Sequence, residues 1–273
     1  MRRAIMLLAL TALTILAAGG VAGAIINGEP DTGEDAHPYV GALVTDFAGE
    51  DDTESVLLPV CTGTLISPRL FLTAGHCTDY IIENELPTYV SFDQTFGPDS
   101  ELIAGTPYTH PDFCLACAPG TKGFDRYDVG IVVLDRPVQM GTYGRLPEAG
   151  LADEFPDGQR LTAVGYGASG FDVGGGPPQQ IYPDVRYRAT VRLINTDSVL
   201  SEMFLKTSGA SMGRGGEGTC SGDSGGPLFL PDQTTVVAVT SFGNGMCTGP
   251  GYYQRMDLPQ ILSWINEEFG GLL

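Results

Sequence analysis

The chain has 273 residues, 42% of them apolar, and carries 33 acidic against 14 basic side chains for a formal net charge of −19. That length and apolar content allow one or two globular domains with a sizeable core. The acidity sets the chain against nucleic acid and anionic membrane surfaces, and fits either a solvated surface that keeps the protein soluble or adaptation to salt, where self-repulsion is screened.

Residues 1–24 read as a signal peptide: Arg2 and Arg3 open a run that is almost wholly apolar from Ala4 to Ala18, and Ala22-Gly23-Ala24 is a small-residue cleavage site. The apolar run is shorter than the roughly 20 residues a spanning helix needs. A retained N-terminal anchor is the alternative. Six cysteines, an even number, fit an oxidising compartment and up to three bridges, so the expected location is extracellular. Removal of Arg2 and Arg3 leaves a still more acidic mature chain, in which only Lys122 and Lys206 supply lysine.

Short β-branched and aromatic runs follow, separated by Gly, Pro and Asp turns. Strands are predicted at 39–45, 62–66, 70–73, 129–134, 161–165, 186–194 and 236–241. The acidic run from Glu50 to Glu54 suits a solvated loop better than a calcium site, and no metal or cofactor is assigned. A Pro/Gly/acid-rich stretch at about 136–158 divides the chain into halves with about six strand candidates each. Gly-rich segments at 167–178 and 208–218 are too long for hairpin turns. Helical periodicity arrives only at 259–269, where Ile261, Leu262, Ile265 and Phe269 share a face beside Trp264. The pattern is that of an all-β protein closed by a C-terminal helix.

Three segments carry chemistry. His76 lies in Leu72-Thr73-Ala74-Gly75-His76-Cys77, directly after a strand, where a bridge to Cys61 would staple the loop. His37 and His110 each precede a proline and read as surface or structural residues. Asp128 stands at the mouth of the apolar run Val129–Leu134, where pairing with an imidazole would satisfy a buried acid. Ser224 lies in Gly222-Asp223-Ser224-Gly225-Gly226-Pro227, whose glycines allow a tight turn and close approach of a substrate carbonyl.

In the order His, Asp, Ser, these segments resemble the three motifs of the chymotrypsin/trypsin-like serine peptidases. Ile25-Ile26-Asn27-Gly28, Val164-Gly165-Tyr166-Gly167, Ser241-Phe242-Gly243 and the Trp264 helix match further landmarks, so the resemblance covers nearly all of residues 25–269. It implies two six-stranded antiparallel β-barrels with a C-terminal α-helix and an active site in the cleft between the barrels. The corresponding division is 25–145, 146–257 and 258–269. It further implies Ser224 as nucleophile, His76 as general base and Asp128 as its orienter, with Ser241 supporting Asp128. The N–H groups of Gly222 and Ser224 would form the oxyanion hole. The edge from Ser241 to Gly243 would pair with substrate backbone.

By the same resemblance, a freed Ile25 ammonium pairs with Asp223. The expected signal cut falls directly before Ile25, so signal removal would itself activate the enzyme. Cleavage after Ala18, leaving a short pro-segment, is the alternative. The S1 pocket carries Gly218 at its floor with Thr219 beside it, and Gly243 and Gly251 as walls. That neutral slot suits large apolar or aromatic P1 residues. Glu217, one residue from the floor, keeps a basic P1 preference open. Cys61–Cys77 and Cys220–Cys247 match family pairs. Cys114 and Cys117 have no family counterpart; they can bridge each other, with zinc or redox chemistry as the alternative. The implied partners are polypeptide substrates, with proteinaceous inhibitors as further candidates, and the expected state is a monomer. The rival reading is a catalytically silent binding module on the same fold.

Overall fold

The computed structural model describes residues 25–48, 55–117, 125–174, 176–194, 202–209 and 216–273. The expected signal peptide and the acidic run at 50–54 lie outside the described residues. In chain order the strands are β1 (Glu29–Pro30), β2 (Val40–Ala48), β3 (Ser55–Ser67), β4 (Leu70–Thr73), β5 (Thr88–Ser91), β6 (Ile103–Thr109), β7 (Gly130–Leu134), β8 (Arg160–Gly165), β9 (Gly170–Asp172), β10 (Gln179–Ile181), β11 (Tyr187–Arg192), β12 (Phe204–Thr207), β13 (Pro227–Phe229), β14 (Val236–Phe242) and β15 (Gly251–Arg255). Helix α1 (Gly75–Glu83) follows β4, and α2 (Pro259–Phe269) ends the chain but for one short turn.

The first half closes into a six-stranded barrel in the order β2-β3-β4-β7-β6-β5. Its central strands explain the closure. All four residues of β4 are buried, as are four of the five in β7, so both faces need cover. The second half is an antiparallel sheet in the order β1-β11-β8-β13-β14-β15-β12. It has seven strands rather than the expected six, because β1 adds itself to the edge of β11 with Glu29 opposite Arg188. The far edges of the other six meet at a Leu193–Thr207 bridge, where Ile194 N–H donates to Lys206 O at 2.8 Å and Ser208 N–H to Arg192 O at 2.7 Å.

Helix α2 occupies the residues its periodicity predicts, and Ile261, Trp264, Ile265 and Phe269 are buried on it. They pack into the core of the first barrel, among Leu70, Leu72 and Ile131, so the end of the chain straps back over its beginning. Helix α1 is absent from the sequence reading. Its segment GHCTDYIIE is short and rich in residues of modest helix propensity, so no amphipathic repeat stands out. The Gly-rich stretch at 167–178 holds β9, which forms a two-stranded hairpin with β10.

His37 and His110 are both buried, as structural rather than surface residues. His37 belongs to a polar cluster joining the N-terminal segment to both halves. The fully buried Asp31 accepts from His37 N–H at 2.8 Å and from Arg186 Nε at 2.8 Å, and its other oxygen lies 2.7 Å from His37 Nδ1. Arg186 in turn donates to Val40 O at 3.1 Å and to the Tyr166 hydroxyl at 3.2 Å. Removing one member of such a set strands the other charges out of water. Asp31→Ala is therefore expected to cost about 3–5 kcal/mol in urea unfolding. Asp31→Leu combined with Arg186→Met should recover a large part of that loss.

Candidate active site

Strand pairing assembles the first two side chains. The β4–β7 ladder sets Thr73 opposite Gly130, so the residues just beyond each strand, 74–76 and 128–129, emerge side by side. His76 then falls in the first turn of α1, whose N-cap, Ala74, has no side chain able to satisfy the free N–H groups there. The Asp128 carboxylate does so from outside the helix: Oδ1 accepts His76 N–H at 2.7 Å. His76 Nδ1 lies 2.9 Å from Oδ2 and 3.1 Å from Oδ1 of the same carboxylate. An ionised carboxylate only accepts, so Nδ1 carries the proton and Nε2 keeps a lone pair able to accept a proton.

Asp128 is fully buried, and the second half of the molecule completes its shell. The Ser241 hydroxyl on β14 donates to Oδ2, and Asp128 N–H donates to Gln254 Oε1 on β15 at 3.1 Å. Burial alone would raise the Asp128 carboxyl. The imidazole, the hydroxyl and the His76 N–H together hold it below the ordinary value of 3.8. Burial works against the charged imidazole too, yet the Asp128 charge and hydrogen bond, helped by Asp125, hold His76 above its ordinary 6.5.

The Ser224 loop is fastened to both halves. Thr62 on β3 donates its N–H to Ser224 O at 2.8 Å and its hydroxyl to Gly222 O at 2.9 Å, while Gly225 N–H reaches Thr240 O at 2.7 Å. The Ser224 carbonyl lies 3.9 Å from Sγ of Cys77, the residue after His76. Gly225 has φ 79°, and a Cβ there would fall 2.1 Å from Thr73 Oγ1, so no larger residue fits. The N–H groups of Asp223 and Gly226 are also spent within the loop, on Cys220 O and Asp223 O. Among the described residues those of Gly222 and Ser224 take no acceptor.

Asp223 points the other way, into the protein. It is fully buried and accepts from Gly167 N–H and Cys220 N–H, each at 2.8 Å. A Cβ on Gly165 or Gly167 would strike that carboxylate, at 2.2 Å from Oδ1 and 2.5 Å from Cγ respectively. The Val164–Gly167 motif thus makes room for Asp223. Its burial, only partly offset by two N–H groups, raises the carboxyl to about 7. Ile25 is fully buried in the hydrophobic cluster that holds Ala163, Leu228 and Val237, and Ile26 pairs with Gly218 through backbone bonds of 2.9 and 3.2 Å.

Beside Ser224 opens a cavity of about 200 Å³ whose lining includes Gly218, Thr219, Gly243, Gly251 and Tyr253. Among the described residues none that lines it carries a charge. At its base the Thr219 and Tyr253 hydroxyls are 2.9 Å apart. Glu217 is turned away, accepting Thr190 N–H at 2.6 Å and lining a separate groove with Arg188. Disulfides join Cys61 to Cys77, Cys114 to Cys117 and Cys220 to Cys247. The first ties β3 to α1, and the last ties the Ser224 loop to the pocket wall.

Comparison with known proteins places this arrangement in a family. The trypsin profile matches residues 25–265. A trypsin of Saccharopolyspora erythraea is 30% identical over 235 residues, covering 83% of this chain and 89% of the relative. A trypsin of Phaedon cochleariae is 29% identical over 238 residues, covering 83% and 85% respectively. Among solved structures, HL collagenase shares the fold with a TM-score of 0.64 at 22% identity, over 90% of this chain and 99% of its own. The chain belongs to the trypsin family of chymotrypsin-like serine peptidases and is a serine-type endopeptidase.

Several residues of the site escape sequence reasoning. Gln254, Thr62, Tyr253 and Asp125 act through contacts with segments distant in the chain, and no local pattern marks them.

The raised carboxyl of Asp223 has a consequence for stability. A group whose value rises on folding contributes full stability below its unfolded value and loses it as pH climbs to the folded one. A chain still extended ahead of Ile25 should therefore lose stability between about pH 4 and the folded value of about 7, by an amount on the order of a few kcal/mol. In Asp223→Asn that part of the pH dependence should vanish, as read from urea unfolding at both ends of the range.

Proposed function

We propose that the protein is an exported endopeptidase that cleaves polypeptides through an acyl-enzyme, with His76, Asp128 and Ser224 as its catalytic residues and a neutral S1 pocket favouring large apolar or aromatic P1 side chains. The observation that carries this reading is the fully buried Asp128 fixing His76 Nδ1 at 2.9 Å, with an uncharged cavity opening at Ser224. In the first step Ser224 Oγ attacks the scissile carbonyl carbon while its proton passes to His76 Nε2. The carbonyl oxygen becomes an oxyanion facing the N–H groups of Gly222 and Ser224, each donor worth about 3–4 kcal/mol in such chemistry. Collapse breaks the C–N bond, and His76 hands the proton to the leaving amine. Water then repeats the sequence on the ester, releasing the acid and restoring Ser224. Asp128 stays ionised throughout and stabilises the imidazolium. The backbone from Ser241 to Gly243 pairs with the substrate strand.

The volume of the pocket supports the P1 assignment. A cavity of about 150 Å³ accepts a benzene ring, and this one holds about 200 Å³. An arginine inserted there would find hydroxyls but no carboxylate, since Glu217 is engaged elsewhere. Burying that unpaired charge is costly. A sulfonyl fluoride should label Ser224 in the mature protein, and Ser224→Ala and His76→Ala should each abolish labelling. Absence of label in folded mature protein would favour the silent binding module. On amide substrates, Phe at P1 should exceed Arg by at least about tenfold in kcat/KM; a preference for Arg would overturn the neutral-slot reading.

Residues 1–24 act as the signal peptide in this reading, and cleavage before Ile25 activates directly. The freed ammonium would meet Asp223, a buried carboxylate that needs a cation to stay ionised at neutral pH. N-terminal sequencing of active secreted protein should begin at Ile25. Active material that begins earlier would refute direct activation.

A further inference from the structure

A second carboxylate approaches His76. One ring nitrogen of His76 and one oxygen from each of Asp125 and Asp128 all lie within 4.8 Å of one another. Asp125 is only 8% exposed, three residues before Asp128, on the segment that leads into β7. We propose that Asp125 is a positioning residue for His76, a second buried negative charge that with Asp128 stabilises the imidazolium formed during catalysis. The proposal rests on the reading of His76 as the general base.

The loop bounded by the Cys114–Cys117 disulfide holds Asp125 in place. Ala116, at φ 55°, donates its N–H to Asp125 Oδ1 at 2.7 Å, and Cys114 and Arg126 exchange backbone hydrogen bonds of 3.1 and 3.0 Å. Among the described residues the charged groups around Asp125 are few. Asp128 and His76 face it, while the Arg126 guanidinium is turned onto the Tyr127 ring, 4.9 Å from its centre. Among the described residues the charges around His76 are Asp128 and Asp125; Ser241 and Gln254 reach it only through Asp128. Asp125 therefore has no buried cation of its own to neutralise among the described residues, and its field falls on the imidazole. Burial and the neighbouring Asp128 charge push its carboxyl up; the Ala116 N–H and the imidazole oppose that. The carboxylate form of Asp125 and the protonated form of His76 stabilise each other.

A purely structural role would be met by the Ala116 hydrogen bond, which an asparagine oxygen accepts equally well. Asp125→Asn thus removes the charge and keeps the anchor. In the pH dependence of kcat/KM, its acid limb should move down by roughly half a pH unit to one pH unit. Well below the midpoint, the fraction of plateau activity then rises about three- to tenfold, while the plateau itself falls about two- to tenfold. Asp125→Glu should keep the acid limb of the parent. Should the asparagine variant not fold, Asp125→Ser gives the same readout. Nuclear magnetic resonance titration of the His76 ring nitrogens, with only His37 and His110 beside it, should show the same downward move in the uncharged variants. Acid limbs and ring titrations that superimpose on the parent would overturn the proposal. Parent activity that survives His76→Ala would instead defeat the base assignment, and the ring titration would still report whether Asp125 acts on His76.

Discussion

A carboxylate taken wholly out of water has to find its donors from the protein or lose its charge, and Asp128 finds them from both halves of the molecule. The first barrel supplies the His76 ring and N–H; the second sheet supplies the Ser241 hydroxyl, and its Gln254 side chain holds the Asp128 backbone. The candidate active site is therefore also a polar seam between two hydrophobic cores. Neither half could shield and satisfy this acid alone. That dependence places the site at the junction, and the C-terminal helix, returning to the first barrel, reinforces the same junction from outside.

Asp128 and Asp223 make an instructive pair. Both carboxylates are fully buried, yet one is held below its ordinary value and the other is pushed up to about 7. Burial acts on both in the same sense. The difference lies in the partners: the imidazole, the Ser241 hydroxyl and the His76 N–H serve Asp128, whereas Asp223 meets two N–H groups. One acid is served by an imidazole, a hydroxyl and an N–H; the other has two N–H groups and keeps a raised carboxyl.

The Gly-rich loops obey packing more than flexibility. Gly165 and Gly167 are small because the Asp223 carboxylate occupies the space a Cβ would need. The pairing of Ile26 with Gly218 sets the register of the segment entering the pocket, and that register sends Glu217 to Thr190 and away from the pocket base. A shift by one residue would reverse the side chains, as in any extended backbone. The absence of Glu217 from the cavity beside Ser224 thus goes with a backbone contact to the Ile25–Gly28 segment.

Much was legible in one dimension. The apolar, β-branched runs of β4, β7, β8 and β14, the apolar face of α2, and the tight Gly-bracketed turn around Ser224 are local patterns, and local patterns survive in a sequence because burial and backbone geometry act residue by residue. The resemblance carried by the His76, Asp128 and Ser224 motifs extended this to the two-part β fold and the peptidase class. Helix α1 was hidden because nine residues of modest propensity leave no repeat, and β1 because two residues form a strand only when β11 lies beside them. The orientation of Glu217, the shell of Asp128 and the approach of Asp125 to His76 were decided by the tertiary structure alone. Each depends on groups tens of residues apart, and the energies that place them, desolvation and charge pairing, exist only once the intervening water has been removed.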